Sequence, residues 1–426
     1  MRPNTVTLIP ILGIILLTAS DVGSAPVLTL RDCYLLALKQ SETIAIKREE
    51  IEATQAQFFQ AASEALGDVH FKMTQFRQDA RDTGDTSSVS GSFTRQLKRE
   101  RVFEMNQPVF QGFKAFAALN AAGGLKKQRT AERIRAEQLL FFDVAQSFYS
   151  VLREKKEVEI IEEIEKLFKE RIGELNEREA IGRSRQGEVV TAESRLKLIY
   201  AEHARSRGDF IIARYGLEFL TGMAIDPDIL VDEELPLKDA ESLETYLAHI
   251  ENRPDVEAAK QAARIARQGI ISAQSDLWPT MTVDTTAYEM REGFQSGIDW
   301  DVLFTVDVPL FQGGEIVGNI KKALSTRKEF DLTHELTKRQ AELDIKQSLQ
   351  NWLTSLDRFN ALKEAVSSSE KNYALQREDY ARNLVGNLDV LEALESLNQT
   401  RRDENEALFE MKENYWGLKV AVGDIP

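Results

Sequence analysis

Cysteine is almost missing from this 426-residue chain, and so are histidine and any surplus of positive charge. With Cys33 alone, neither an intrachain disulfide nor a cysteine-based zinc site can form. The four histidines, His70, His203, His249 and His334, are scattered without metal-ligand spacing and without an HExxH pair. Lys and Arg number 54 against 69 Asp and Glu, a net charge of -15, which removes the basic face that a nucleic-acid partner needs. No apolar run approaches the ~20 residues of a membrane-spanning helix. Proline is absent from Val109 to Asp226 and again from Leu310 to Ile425. What remains is an ordinary folded balance, 42% hydrophobic and 29% charged.

The N-terminus carries the first positive signal. Arg2 precedes an apolar run from Leu8 to Leu17, and small residues follow at Thr18, Ala19 and Ser20. That is the layout of a secretory signal peptide, expected over residues 1–24 with cleavage after Ser20 or slightly later. Cys33 lies well past the apolar run, so it does not read as a lipoprotein acylation site. An exported chain without a helical span enters a membrane only through strands.

The chain is written twice. "QPVFQG" at Gln107–Gly112 returns as "VPLFQG" at Val308–Gly313, and the two prolines, Pro108 and Pro309, stand 201 residues apart. Each motif precedes a proline-free run rich in helix formers, with apolar residues at three- and four-residue steps. Each run is interrupted once, by "AIGRSRQGEVV" and by "ARNLVGNLDVL", and these interruptions keep the same offset. Gly182 faces Asn383, the two residues that best tolerate a left-handed helix end; Glu188 faces Asp389. Two motifs at one offset imply a tandem duplication, with a helical hairpin in each half. A helix from Gly112 to Ala180 would be about 100 Å long and must pack along its length as a coiled coil. The Arg and Glu crowding between Glu154 and Arg185 reads as a solvated helical face.

Before each proline motif the period changes from helical to two. In "IDWDVLFTVDVP", Ile298, Trp300, Val302, Phe304, Val306 and Val308 share one face, and Asp299, Asp301, Leu303, Thr305 and Asp307 the other. The length suits a tilted membrane strand of ~9–11 residues. The partner strand is Pro279 to Met290; Asp68 to Gln78 and Arg101 to Gln107 are the first-half equivalents, with weaker alternation. Trp300 and Phe304 would meet lipid and Trp278 would mark an interface, whereas Trp352 and Trp416 on helices read as core. A small soluble β-domain also fits the alternation. Four strands cannot close a membrane barrel, since the smallest have about eight, so a membrane reading demands an oligomer.

The signal peptide, the duplicated halves, the two Pro-x-Phe-Gln-Gly motifs and the turn leading into "DVLEALESLNQTRRDENEAL" together resemble the TolC-like outer-membrane efflux proteins, and the closing "NYWGLKVAVG" fits their last helix. The resemblance runs from about Leu28 to Gly423, sharper in the second half. It implies an α+β membrane protein: a homotrimer giving four strands per chain to a twelve-stranded transmembrane β-barrel, with long antiparallel coiled-coil helices forming a periplasmic α-barrel. It implies a signal peptide (1–24), a first repeat (25–222), an equatorial linker (223–240) and a second repeat (241–426). It also implies a passive outer-membrane duct of a tripartite efflux or type I secretion system. A periplasmic adaptor and an inner-membrane pump would be its partners, with outer-membrane lipid around the barrel, no cofactor, no nucleic acid and no catalytic group.

Carried onto this chain, the resemblance places Asp389 at the tip constriction, with Glu392 one turn along where relatives have Asp. Glu188 is the first-half counterpart, and Tyr380 could hydrogen-bond across the tip to it. Both acids also fit as helix N-terminal carboxylates favoured by the helix dipole. Gly182, Asn383 and Gly386 shape the turns an adaptor would touch; Arg185 and Gly386 stand where the family has Ser. Pro108, Gly112, Pro309 and Gly313 mark the strand-to-helix junctions, because proline cannot donate to a sheet and glycine tolerates a sharp change of direction. Two other readings are a periplasmic coiled-coil adaptor or tether without a pore, which leaves the strands unexplained, and a secreted enzyme, for which no nucleophile, metal or phosphate motif is present.

Overall fold

The computed structural model describes residues 27–79, 97–233, 235, 241–293 and 295–425. The expected signal peptide and part of the 223–240 linker lie outside the described residues. In chain order, α1 (Leu30–Gln40) and α2 (Glu42–Leu66) lead into β1 (Asp68–Arg77) and β2 (Leu97–Gln111), followed by α3 (Lys114–Ala180) and α4 (Gln186–Thr221). After a short connection, α5 (Leu243–Leu247) and α6 (Pro254–Ser275) lead into β3 (Thr280–Arg291), β4 (Trp300–Asp307), α7 (Glu315–Ala381) and α8 (Asn387–Val422). Both ends of α3 and α4 recur 201 residues later as the ends of α7 and α8.

Local chemistry accounts for the boundaries. Thr29 and Asp32 form a reciprocal capping box at α1, with Asp32 N–H donating to Thr29 Oγ1 at 3.2 Å and Thr29 N–H to Asp32 Oδ2 at 3.0 Å. Pro254 opens α6 at its first turn, where the missing N–H costs nothing. The 67 residues of α3 and of α7 make each helix roughly 100 Å long at 1.5 Å per residue. Their stability comes from lateral packing: α3 lies against α4 and α8, and α7 against α8. Shorter α2 and α6 flank α3, and α6 also packs on α7.

The four strands form one antiparallel sheet in the order β1-β2-β3-β4, so β1 and β4 are its edges. The first proline motif differs from the expected junction. Strand β2 runs through Pro108, which pairs with Thr282, and a bulge follows before Phe110. β1 pairs only as far as Asn106, so below that point β2 has β3 as its one neighbour, and a residue without an N–H is tolerated there. Pro309, by contrast, lies beyond the end of β4. The backbone turns at Gly112 (φ 59°), where a Cβ would sit 2.4 Å from the Ser275 carbonyl oxygen, and at Gly313 (φ 61°). The next residue is also left-handed in both copies: Gly314 (φ 91°) in the second, Phe113 (φ 71°) in the first. Phe113 holds that uncommon conformation with its ring edge-on to Phe110 and Trp278, at 5.4 and 6.1 Å between centroids.

Apolar packing gathers in three places along the shaft: the helix tips, the middle, and a smaller cluster around Trp352 under α5. Trp352 is buried there, and Trp416 donates to Tyr149 Oη at 3.0 Å beside the middle cluster. The single thiol, Cys33, is fully buried in that cluster, and burial pushes its pKa up to about 11. Around Arg253 the second half is tied together. The fully buried guanidinium donates to the Ala421 carbonyl at 2.9 Å, to Asp255 at 2.7 Å and to Asp344 at 3.2 Å. Burial alone would raise the Asp255 carboxyl; Arg253 and Arg135 reverse the sign and hold it low.

Candidate functional site

The far end of the shaft consists of two helix-to-helix turns that are copies of each other. Gly182 (φ 71°) and Asn383 (φ 60°) are both left-handed. Arg183 N–H returns to the Arg178 carbonyl at 2.8 Å, and Leu384 N–H to Asp379 at 2.9 Å. These are the six-to-one bonds that close a Schellman motif. Gly386 supplies the extended residue ahead of α8, as Arg185 does ahead of α4.

The four residues selected for the constriction stand at the same tip, and they divide into two pairs. Tyr380, at the end of α7, donates from Oη to Glu188 Oε2 at 3.1 Å, and Ser184 Oγ donates to the same oxygen at 2.8 Å. The Tyr380–Glu188 bond joins the first hairpin to the second. Asp389 instead accepts the Gly386 N–H at 2.8 Å, satisfying an orphan donor of α8. Glu392 is exposed and has no ion-pair partner among the described residues.

One residue that sequence reasoning missed is central here. The crowded stretch Glu154–Arg185 is not uniformly a solvated face: Arg171 is only 2% exposed. Its Nε and Nη2 donate to Asn387 Oδ1 at 3.0 and 2.8 Å, and its Nη1 to Glu174 at 3.1 Å. Its guanidinium also lies 3.9 Å from the Tyr380 ring centroid, and that of Arg178 lies 4.4 Å from it. Arg178 further donates to the Tyr380 carbonyl at 3.2 Å and to Asn383 Oδ1 at 2.6 Å. The signal was present in the spacing. Ile161, Ile164, Phe168, Arg171, Leu175 and Arg178 advance by alternating three and four, so both arginines occupy seam positions of a coiled coil.

At the opposite end the sheet register sorts the side chains. One face carries Lys72 paired with Glu104, Arg291 with Glu100 at 3.4 Å, and Tyr288 Oη donating to Asp301 at 2.8 Å. The other carries Val69, Phe71, Phe103, Trp300, Val302, Phe304 and Val306, of which Trp300 and Phe304 are 67% and 59% exposed. The first hairpin is less strict: Arg101 lies on the apolar face beside Glu289 and Phe76 on the polar one. A sheet with one apolar and one polar face, carried on helices of about 100 Å, fits the class of envelope channel subunits, whose strands meet lipid on one side.

Similarity agrees with that class. Residues 247–424 match the sequence model of the outer membrane efflux protein family. The probable outer membrane lipoprotein SilC of Salmonella typhimurium is 23% identical over 305 residues, 67% of this chain and 63% of that protein; the chain thus spans under two thirds of that relative's length. The outer membrane protein TolC of Vibrio cholerae is 20% identical over 73% of this chain and 74% of that protein. Among solved structures, the outer membrane protein VceC of Vibrio cholerae superposes with a TM-score of 0.79 at 20% identity, covering 93% of this chain and 96% of that one. Residues 247–424 thus carry the sequence pattern of outer membrane efflux proteins, and nearly the whole chain has the fold of VceC. The word lipoprotein in the first relative's name does not transfer to Cys33, which is packed inside α1.

Proposed function

We propose that this protein is the outer-membrane exit duct of a tripartite efflux or type I secretion system, acting as a homotrimer. The observation that carries the reading is the sheet. It has an apolar face, two edge strands exposed along their whole length, and too few strands to close by itself. Three copies would make twelve strands around a lumen lined by the polar face. Residues 25–222 and 241–426 act as the two repeats, with 223–240 as the equatorial link. The exposed stripe of α7 that includes Leu332, Leu336 and Leu343 would meet the next copy.

At the tip, Asp389 and Glu392 would form stacked carboxylate rings favouring cations. The Tyr380–Glu188 bond would hold the hairpins together, and the turns at Gly182, Asn383 and Gly386 would receive a periplasmic adaptor linked to an inner-membrane pump. Pro108 with Gly112 and Pro309 with Gly313 would hand the chain from barrel to tunnel. The test is single-channel conductance in a planar bilayer, comparing the parent with Asp389→Ala/Glu392→Ala. The parent is expected to be cation-selective, and the variant to lose selectivity and block by multivalent cations. A pore whose selectivity is untouched removes the carboxylate gate; a folded oligomer without conductance at any voltage removes the duct.

A further inference from the structure

From the tip to Ile199 on α4 and Leu397 on α8, both helices press apolar residues onto α3. Above that level the facing residues turn polar, and an opening of about 520 Å³ lies among the three helices. Six carboxylates line it: Glu154, Glu157, Glu202, Asp209, Asp403 and Glu406. Three guanidiniums line it too, and all three are engaged. Arg402 pairs with Glu157 and, at 3.2 Å, with Glu202; Arg153 pairs with Glu154 at 3.0 Å; Arg205 pairs with Asp209 at 3.6 Å. Negative charge is therefore in excess, and among the described residues Asp403 forms no ion pair, accepting from Gln399 at 2.8 Å on its own helix.

A second observation is independent of charge. Ser206 and Asn405 line the same opening, each 5% exposed. Ser206 Oγ and Asn405 Oδ1 are buried without a hydrogen-bond partner among the described residues, although Asn405 Nδ2 does donate to the Arg153 carbonyl at 3.0 Å. Buried oxygens without partners cost free energy unless something brings donors to them. No group of three or more His, Cys, Asp or Glu among the described residues is arranged to hold a metal ion. The site asks for a cation that arrives with its own N–H donors, spread over more than one helix.

We propose that this cavity binds a linear polyamine. Each ammonium offers several donors; one would be held by the Asp403 carboxylate, and another would satisfy the Ser206 and Asn405 oxygens, joining α4 and α8 across α3. The site is separate from the tip carboxylates and does not depend on the gate reading.

The experiment is calorimetric titration of spermidine into the full-length detergent-extracted protein. Ser206→Ala/Asp403→Asn is the test variant, because neither side chain ties one helix to another, and a thermal melt checks its fold. Saturable binding is expected in the parent, weakened at least tenfold in that variant and unchanged in Asp389→Asn/Glu392→Gln. If the double variant does not fold, Ser206→Ala alone is expected to weaken binding severalfold. The proposal is overturned if the folded cavity variant binds like the parent, if only the tip variant loses binding, or if Mg²⁺ at matched ionic strength reproduces the heat.

Discussion

Helices α3 and α7 are both 67 residues long, stand at corresponding places in the two halves, and differ sharply in what covers them. Sixteen residues of α3 are buried but only seven of α7, so α3 is an interior helix of the subunit and α7 an outer one. The cause is neighbours: α3 is packed by α1, α2, α4, α6 and α8, while α7 rests chiefly on α6 and α8 and meets α3 and α4 through a few side chains at the tip. The helix recurs in the second half, but its surroundings do not. The missing cover of α7, on the channel reading, is the next subunit.

The comparison breaks most easily where the two helices are asked to lose the same kind of contact. Phe168 of α3 is fully buried in the tip cluster. Phe168→Ala is expected to cost about 3–5 kcal/mol of subunit stability, read as a lower midpoint in thermal unfolding by circular dichroism. Leu332 and Leu336 of α7 are 56% and 46% exposed, so Leu332→Asp/Leu336→Asp should leave the subunit's helicity intact and instead reduce the oligomer measured by light scattering in detergent. If the α7 variant unfolds the subunit while the oligomer survives Phe168→Ala, the assignment of inner and outer helix is wrong.

A smaller effect tests whether the α3 seam tolerates charge only because it is answered. Removing Arg171 strands Asn387 Oδ1 and withdraws one guanidinium from Tyr380. Arg171→Ala is expected to destabilise the tip by about 3 kcal/mol, at the lower end of breaking a buried charged network. Arg377→Ala on α7, whose side chain is 46% exposed beside Glu174, should cost about 1 kcal/mol or less. Hydrogen exchange at residues 375–395 would separate the two.

The architecture was legible from the sequence because its signals are periodic and repeated. Period two in Trp300–Asp307, the long proline-free runs and one offset shared by the junctions and turns define the elements before any contact is known. The Gly182–Asn383 equivalence is legible for the same reason, since only a few residue types accept positive φ. Pro108 inside β2 was not, because whether a proline sits in or after a strand depends on how far the neighbouring strand extends. Arg171 was hidden by its residue type: a charged residue on a seam reads as surface until the partner that answers it, Asn387, 216 positions away, is placed beside it. The first half also departs further from strict alternation than the second, and the family match falls on 247–424.

A comparably small effect belongs to the phenol bond that joins the two hairpins at the tip. Tyr380→Phe keeps the ring between Arg171 and Arg178, and the carbonyl bond to Arg178, while removing only the 3.1 Å donation to Glu188. Ser184 still donates to the same carboxylate oxygen, so Glu188 is not left unanswered. The loss should therefore be about 1 kcal/mol, the net worth of one hydrogen bond, to a partly buried carboxylate. At about 1.4 kcal/mol per tenfold, that raises the population of separated hairpins about fivefold. Global melting would scarcely move, but the frequency of brief openings in single-channel records should rise by a similar factor. Glu188→Gln should give the same direction, because an amide accepts the phenol more weakly than a carboxylate. If Tyr380→Phe is silent while Arg171→Ala opens the channel, the two hairpins are joined by the stacked guanidiniums and Asn387, and the hydroxyl contributes only to the position of Glu188.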